Sequence, residues 1–426
     1  MSESGAKSQI SRRQVLGLLG GGIAGVVAAP LLGGTAGIGD LLGGSVGEAA
    51  GAATKKGLKI ATIKPVTGSL AAGYAPLYTA ITLAIEEINA KGGVLGAPIT
   101  QQAFDDQGLP ANEGAVAREL ISAGYTFAMG PIGSSNVATS YAVTQKNHII
   151  QSPSSQSPGQ ANTKLYPGGF QNELQDDYIA SGLVDHLVKT GGAKKIGWMA
   201  ENTAYGQSGL AFVQQYLKGT GATIVDMESY DQGSTTTLAN VQRIKESGAD
   251  ALLLWATIPP DLINIFTSVE NTGLNIPIGT SSTFAVYLQG LMPAGFSPTI
   301  LNNVSTVVNS VFTFAPGKPA PKATLAYCEK LFKAFPAPAE LQYPIAQGGF
   351  YDFVYILANA VKAAGSTEYR AVLNELNTMP LYHGAAADVK FTKTNHIGID
   401  PSTFVLAKVT GLSNPLSHGG LLAERY

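Results

Sequence analysis

The sequence predicts an α/β protein made of two doubly wound units, each with a parallel sheet and helices on both faces. The chain has 426 residues, which suits two domains of moderate size once a leader is set aside. Apolar strand-like runs alternate with helical patterns, and after a stretch rich in Pro, Gly and Ser the alternation starts again. Two units arranged in this way predict a cleft between them.

The first series begins with the apolar run "LKIATIK" and an amphipathic helix that ends at Gly92 and Gly93. Apolar side chains recur along that helix at helical spacing: Leu77, Ala80, Ile81, Ala84, Ile85 and Ile88. Strands are predicted at 58–64, 98–104, 126–130 and 148–152, with later helices at 112–124 and 136–146.

The second series repeats this order, with strands predicted at 194–200, 222–227, 250–256 and 276–279 and helices at 207–221, at 238–248 and from Asp261. In sheets of this kind, ligands bind outside the carboxyl ends of the strands. We therefore look for functional residues immediately after each strand.

Composition excludes several classes of function. The 27 basic and 29 acidic residues give a net charge of −2 without long runs of one sign, which argues against nucleic-acid binding. A single cysteine, Cys328, allows no internal disulfide. The five histidines lack the spacing of metal ligands, so neither a metal nor a cofactor is predicted.

Residues 1–53 are predicted to be an export leader and linker. The segment "SRRQVLG" places paired arginines before an apolar run, which resembles a twin-arginine signal and predicts a periplasmic or cell-surface location. The run 15–34 is about 20 residues, roughly a bilayer span, so an uncleaved anchor is the one membrane contact left open. The string "GGGIAG" fits a dinucleotide-binding pattern but has no preceding buried strand.

The stretch "FAMGPIGSSNVATS" combines a strand, a Gly-rich turn and two serines at the start of a helix. Backbone N–H groups and hydroxyls meet at such a point and suit a negative or strongly polar ligand. Serine is also a common helix cap, so a purely structural role for Ser134 and Ser135 stays open.

Several motifs in a fixed order resemble one protein family. "INAKGGVLG", "FDDQ", "GPIGSS", "SPSS" and "AYGQSG" are similar to type I periplasmic solute-binding proteins of the branched-chain amino acid (hydrophobic amino acid, amide and urea) transport group. The resemblance covers residues 57 to about 410. It implies two Rossmann-like lobes joined by three crossover strands, a small-molecule ligand held between closing lobes, and delivery to the permease subunits of an ABC importer.

The resemblance also implies roles for particular residues. Ser134, with Ser135 beside it, matches the serine that holds the ligand carboxylate, and Tyr205 matches the tyrosine that closes over the ligand. Ser154 and Gln156 match two contacts in the loop after the fourth strand. The remaining predicted contacts are Tyr74 in the first loop and, in the second lobe, Thr257 and Ser281.

The ligand preference follows from a departure from the family pattern. Members that bind amino acids place an acid after the "IPIG" position to meet the ammonium group, whereas this chain offers Thr280, Ser281, Ser282 and Thr283. A buried ammonium without a counter-charge costs several kcal/mol. We therefore favour a ligand without an α-amino group, such as a small carboxylate, aromatic or not, or an amide or urea-like compound. An amino acid, or a ligand-sensing role, is the alternative.

No enzyme is predicted. "GQSGL" around Ser208 is close to the GxSxG elbow of hydrolases, but Leu210 stands where glycine is required. Asp105 and Asp106 resemble an acid pair, yet acids at a strand end are more often structural. A serine hydrolase is the alternative from another class.

The lobes are predicted to combine distant segments of the chain. Lobe one is predicted to comprise 57–171 and 309–384, and lobe two 172–308 and 385–426.

Overall fold

The computed structural model describes residues 57–68, 70–286, 291, 294–314, 320–335, 344–408 and 423–425. All described residues belong to one compact unit, residues 53–426. The leader predicted at 1–53 therefore lies outside the described residues. Within the described part, no helix has the length and hydropathy needed to cross a membrane.

The first sheet is parallel and has the strand order β2-β1-β3-β4. Its strands are β1 Lys59–Lys64, β2 Thr100–Asp105, β3 Phe127–Ile132 and β4 Ile150–Ser154. The helices of this part are α1 Ala71–Tyr74, α2 Thr79–Ala90, α3 Pro110–Ser122 and α4 Ser134–Thr144. All six residues of β3 are buried, as expected for a strand covered on both faces.

The second sheet continues the same alternation of strands and helices. Its parallel part has β5 Lys195–Glu201, β6 Thr223–Tyr230, β7 Ala251–Trp255, β8 Ile278–Thr280 and β9 Val304–Asn309. The helices that precede or connect these strands are α5 Asp176–Val184, α6 Ala204–Leu217, α7 Leu238–Glu246, α8 Pro259–Thr272, α9 Thr283–Val286 and α10 Pro298–Leu301. The five residues "ALLLW" of β7, the middle strand of this parallel part, are all buried.

After β9 the chain leaves the second sheet and later returns to it. In the described part of this stretch the helices are α11 Lys322–Ala334, α12 Pro344–Ala364 and α13 Tyr369–Thr378, and α12 packs against α2 of the first lobe. The remaining strands are β10 Thr313–Phe314, β11 Tyr382–His383, β12 Asp388–Val389, β13 Phe404–Lys408 and β14 Ala423–Arg425. Strand β13 pairs antiparallel with β9, giving the order β10-β14-β13-β9-β8-β7-β5-β6 among the described strands.

The α/β fold of two lobes with largely parallel sheets is confirmed, and each strand and helix predicted up to "IPIG" is present in the predicted order. Several boundaries differ: the helix predicted at 207–221 spans Ala204–Leu217, and the helix predicted at 136–146 begins at Ser134. Gly133 has a φ of 104°, which favours glycine and turns the chain directly from β3 into the helix. Both serines are thereby placed in the first helical turn.

The lobe boundaries stay a prediction. The packing of Phe391 against Phe170 and Phe353, the latter on α12, favours a third boundary after residue 391 rather than at 385.

Candidate ligand-binding cleft

A cavity of about 100 Å³ lies between the lobes at the carboxyl ends of the strands. Two groups of lining residues are distinguished by their place in the chain. The first group, which we call the strand-end wall, consists of residues at or shortly after the ends of strands in both lobes: Ser134, Ser154, Gln156, Tyr205, Thr257 and Ser282. The second group, which we call the hinge wall, comes from three segments that are distant in sequence: Asn172, Glu173, Leu174, Asn309, Phe312 and Phe404.

Ser134 contributes a buried hydroxyl to the strand-end wall. Its Oγ atom lies 3.1 Å from the Oγ atom of Ser155, and the Gly133 amide donates a hydrogen bond of 2.9 Å to the Ser154 carbonyl. Gly133 is the N-cap of α4, and no side chain caps this helix. The capping interpretation of the two serines is therefore wrong, and the first-turn amides of α4 have no intrahelical partner.

Ser135 lies outside the residues that line the cavity and contacts the opposite lobe. Its Oγ atom accepts a hydrogen bond of 3.1 Å from the Ala204 amide at the start of α6. This residue joins the lobes beside the cavity.

Gln156 connects the lobes directly through its side-chain amide. Its Nε2 atom donates to the Oγ atom of Ser282 at 2.7 Å, and its Oε1 atom accepts from the hydroxyl of Tyr205 at 2.8 Å. We call these three residues the Gln156 clasp. The backbone holds Gln156 in place, since its carbonyl accepts from the Asp176 amide at 2.7 Å. The structure is thus a closed arrangement of the lobes.

Two further predicted contacts lie behind the cavity surface. Tyr74 is buried, and burial together with the nearby carboxylates of Glu201, Asp106 and Asp261 raises the pKa of its hydroxyl. Leu77, one turn later, lines the cavity instead. Ser281 is also buried, with its Oγ atom 2.7 Å from that of Thr283.

The structure also places a carboxylate on the cavity that sequence reasoning missed. The Oε1 atom of Glu173 accepts a hydrogen bond of 2.6 Å from the Ser154 hydroxyl, while its Oε2 atom is buried without a partner among the described residues. Burial raises the pKa of Glu173 to about 7, although the Ser154 hydroxyl and the Ser155 amide lower it. The sequence around it, "FQNELQDD", carries no motif that marks the residue.

The residues considered for catalysis have structural partners. Burial raises the pKa of Asp105, but hydrogen bonds from the Thr67 hydroxyl and from the amides of Val66, Gln107 and Thr67 outweigh it and lower the pKa to about 2. Asp105 therefore holds the loop after β1.

Ser208 lies inside α6 rather than at a strand-to-helix elbow. The neighbouring carboxyl of Asp176 accepts a hydrogen bond of 3.1 Å from the indole N–H of Trp255, and burial raises its pKa to about 8.

A family model for periplasmic binding proteins matches residues 57–411. The chain belongs to this family. It is 26% identical over 200 residues to the Leu/Ile/Val-binding protein BraC3 of Rhizobium johnstonii, an alignment that covers 46% of this chain and 53% of that protein. It is 23% identical over 349 residues to the Leu/Ile/Val-binding protein homolog 2 of Brucella abortus, covering 79% and 86% respectively. The chain thus spans about half the length of the first relative and most of the second.

Solved structures share the fold. The branched-chain amino acid binding protein LivJ of Streptococcus pneumoniae, in complex with isoleucine, superposes with a TM-score of 0.71 at 19% identity, covering 87% of this chain and 99% of that one. A solute-binding protein of Rhodopseudomonas palustris in complex with 4-hydroxybenzoate has a TM-score of 0.71 at 16% identity, covering 86% and 95%.

The predicted resemblance to the periplasmic solute-binding family is therefore confirmed.

Proposed function

We propose that this chain captures a small polar or carboxylate solute between its lobes and delivers it unaltered to the permease subunits of an ABC importer. The observation that carries the proposal is the cavity at the strand ends, where hydroxyls and an amide from both lobes converge. Ser134 and Gln156 come from the first lobe, and Tyr205, Thr257 and Ser282 from the second.

The strand-end wall suits a carboxylate or another polar group. The first-turn amides of α4 are donors without intrahelical partners, and a helix N-terminus favours negative charge. The Ser134 hydroxyl lies beside them, within 3.1 Å of that of Ser155. A carboxylate is also the group shared by isoleucine and 4-hydroxybenzoate, which two proteins of the same fold hold.

The cavity limits the size of the ligand. Its volume is about 100 Å³. An apolar cavity of roughly 150 Å³ takes up one benzene molecule. A compact solute with few non-hydrogen atoms therefore fits the closed form best.

Ligand contacts drive closure in this mechanism. A solute that touches both lobes binds the closed state more tightly than the open one and shifts the population towards it. The Gln156 clasp then joins the same two surfaces beside the ligand, at 2.7 Å and 2.8 Å. The closed surface would be the form that the importer recognises.

Export is part of the proposal. The paired arginines of "SRRQVLG" support a twin-arginine route to the periplasm or cell surface. Replacement of Arg12 and Arg13 by lysine should retain the protein in the cytoplasm, as measured by cell fractionation.

A thermal-shift screen over small carboxylates, amino acids, amides and urea tests ligand capture, because a ligand that binds only the folded state raises the melting temperature. Ser134→Ala should weaken the best ligand by about tenfold, the loss expected for one hydrogen bond to a charged group. Binding to the variant at wild-type strength would remove the carboxylate site from the proposal. Chemical conversion of the bound compound would contradict a transport role.

A further inference from the structure

The hinge wall brings a charge into a cavity whose other lining is neutral. Among the described residues that line the cavity, Glu173 is the one charged side chain, and no basic residue accompanies it. A carboxylate in such a place is costly unless something compensates it. Its surroundings therefore indicate which chemical group is missing.

The two oxygen atoms of Glu173 differ. Ser154 donates its hydroxyl to Oε1 at 2.6 Å, which orients the carboxyl group. Oε2 is buried and has no hydrogen-bond partner among the described residues. Buried polar atoms are nearly always paired, so an unpaired oxygen on a cavity surface is the position where a bound molecule completes the arrangement.

We infer that Glu173 recognises a hydrogen-bond donor of the solute, with its Oε2 atom accepting a hydrogen bond from an N–H or O–H group of the bound molecule. The inference rests on the proposed function, since it concerns the same cavity. Glu173 is then a specificity-determining residue, and Ser154 is a positioning residue that acts through it.

Charge supports this assignment. An ammonium, amide N–H or hydroxyl satisfies Oε2, whereas an apolar group leaves it unpaired and a second carboxylate repels it. Burial raises the pKa of Glu173 to about 7, so the closed cavity holds the ionised form at a cost that a donor would offset. Glu173 also provides the carboxylate that the segment after β8 lacks, which removes the main obstacle to a ligand with an amino group.

Matched acids that differ in one substituent provide the test. Isothermal titration of the full mature chain would compare leucine, leucic acid and isocaproate, and the smaller series alanine, lactate and propionate, which suits a cavity of about 100 Å³. Within a series the members carry an amine, a hydroxyl or neither, so the comparison also identifies the kind of donor. The wild-type protein should bind the best donor-bearing acid at least about tenfold more tightly than the plain acid.

Variants assign that preference to Glu173. Glu173→Gln keeps the shape and an acceptor for Ser154 but can turn an amide N–H towards the ligand, so the preference should disappear. Ser154→Ala should reduce it partially, and Glu119→Gln, which removes the same charge from the exposed face of α3, should leave it intact.

The outcomes separate the inference from the proposed function. Equal binding of plain and donor-bearing acids by the wild-type protein, or an unchanged preference in Glu173→Gln, overturns the inference while solute capture stands. If neither series nor the wider screen of carboxylates, amides and urea yields any binding, both fail.

Discussion

The strand-end wall and the hinge wall of the cavity are built by different means. The strand-end wall presents neutral hydroxyls and an amide from positions that follow strands, and it joins the lobes through the Gln156 clasp. The hinge wall gathers residues from three segments that are far apart in sequence, and it includes the carboxyl group of Glu173. Under the proposals above, the strand-end wall binds the solute and joins the two lobes, whereas the hinge wall discriminates between solutes.

The construction of the hinge wall shows why it can be selective. Phe404, at the start of β13, is paired with Asn309, at the end of β9, and Asn309 donates to the Ala386 carbonyl at 2.8 Å. Asn172, next to Glu173, donates to the carbonyl of Gly349 at 2.9 Å. These bonds anchor the wall to several parts of the chain, so its side chains present a defined surface.

The largest expected effect concerns the charge of the hinge wall. The pKa of Glu173 is raised from 4.5 to about 7, so its stabilising contribution is complete below pH 4.5 and is lost as the pH rises through about 7. Glu173→Gln removes this loss. The variant should therefore gain stability over the wild type between pH 4.5 and 7, by about 1 to 3 kcal/mol in the free energy of unfolding.

Chemical denaturation of the ligand-free protein at several pH values measures this gain. Glu119→Gln, with its side chain exposed on α3, is the control and should follow the wild type. If the difference in unfolding free energy between Glu173→Gln and the wild type stays constant across this pH range, the hinge wall does not disfavour the ionised form of Glu173.

A smaller effect is expected at the Gln156 clasp. Gln156→Ala removes two hydrogen bonds between the lobes, each contributing about 1 kcal/mol to the closed state, so ligand affinity should fall by up to about thirtyfold. Isothermal titration with the best ligand measures the loss.

Gln214→Ala, on the exposed side of α6, is the matched control and should bind as the wild type does. If both variants retain wild-type affinity, the clasp makes no contribution to closure and the proposed role of the strand-end wall is reduced to ligand contact.

The smallest expected effect is on ligand affinity, and it distinguishes a residue on the cavity surface from one buried behind it. Ser281→Ala should change affinity by less than about twofold, because the Ser281 hydroxyl faces Thr283 at 2.7 Å and lies outside the lining, although the protein should lose about 1 kcal/mol of stability. Ser282→Ala removes a lining hydroxyl and should weaken binding more. A reversed order of the two affinities would contradict the placement of these residues.

The fold and half of the candidate site were accessible from local sequence patterns. Parallel strands require apolar runs and helices require apolar stripes, and both periodicities are visible in segments such as "ALLLW" and "TAITLAIEEINA". Site residues such as Ser134 and Thr257 could be predicted because they follow strands, whose carboxyl ends form one edge of the sheet. Tyr74 and Ser281 illustrate the limit, since a position near that edge does not determine which neighbour faces the cavity.

The sequence by itself determined the two α/β lobes, the family and the residues that follow each strand, because these depend on periodicity and short motifs. Only the tertiary structure decided that Gln156 joins the lobes and that Glu173 faces the ligand cavity. Both depend on contacts between segments distant in sequence, 126 residues apart for Gln156 and Ser282, and no local pattern encodes such a contact. The position of the Glu173 carboxyl group is therefore set by how segments distant in sequence pack together.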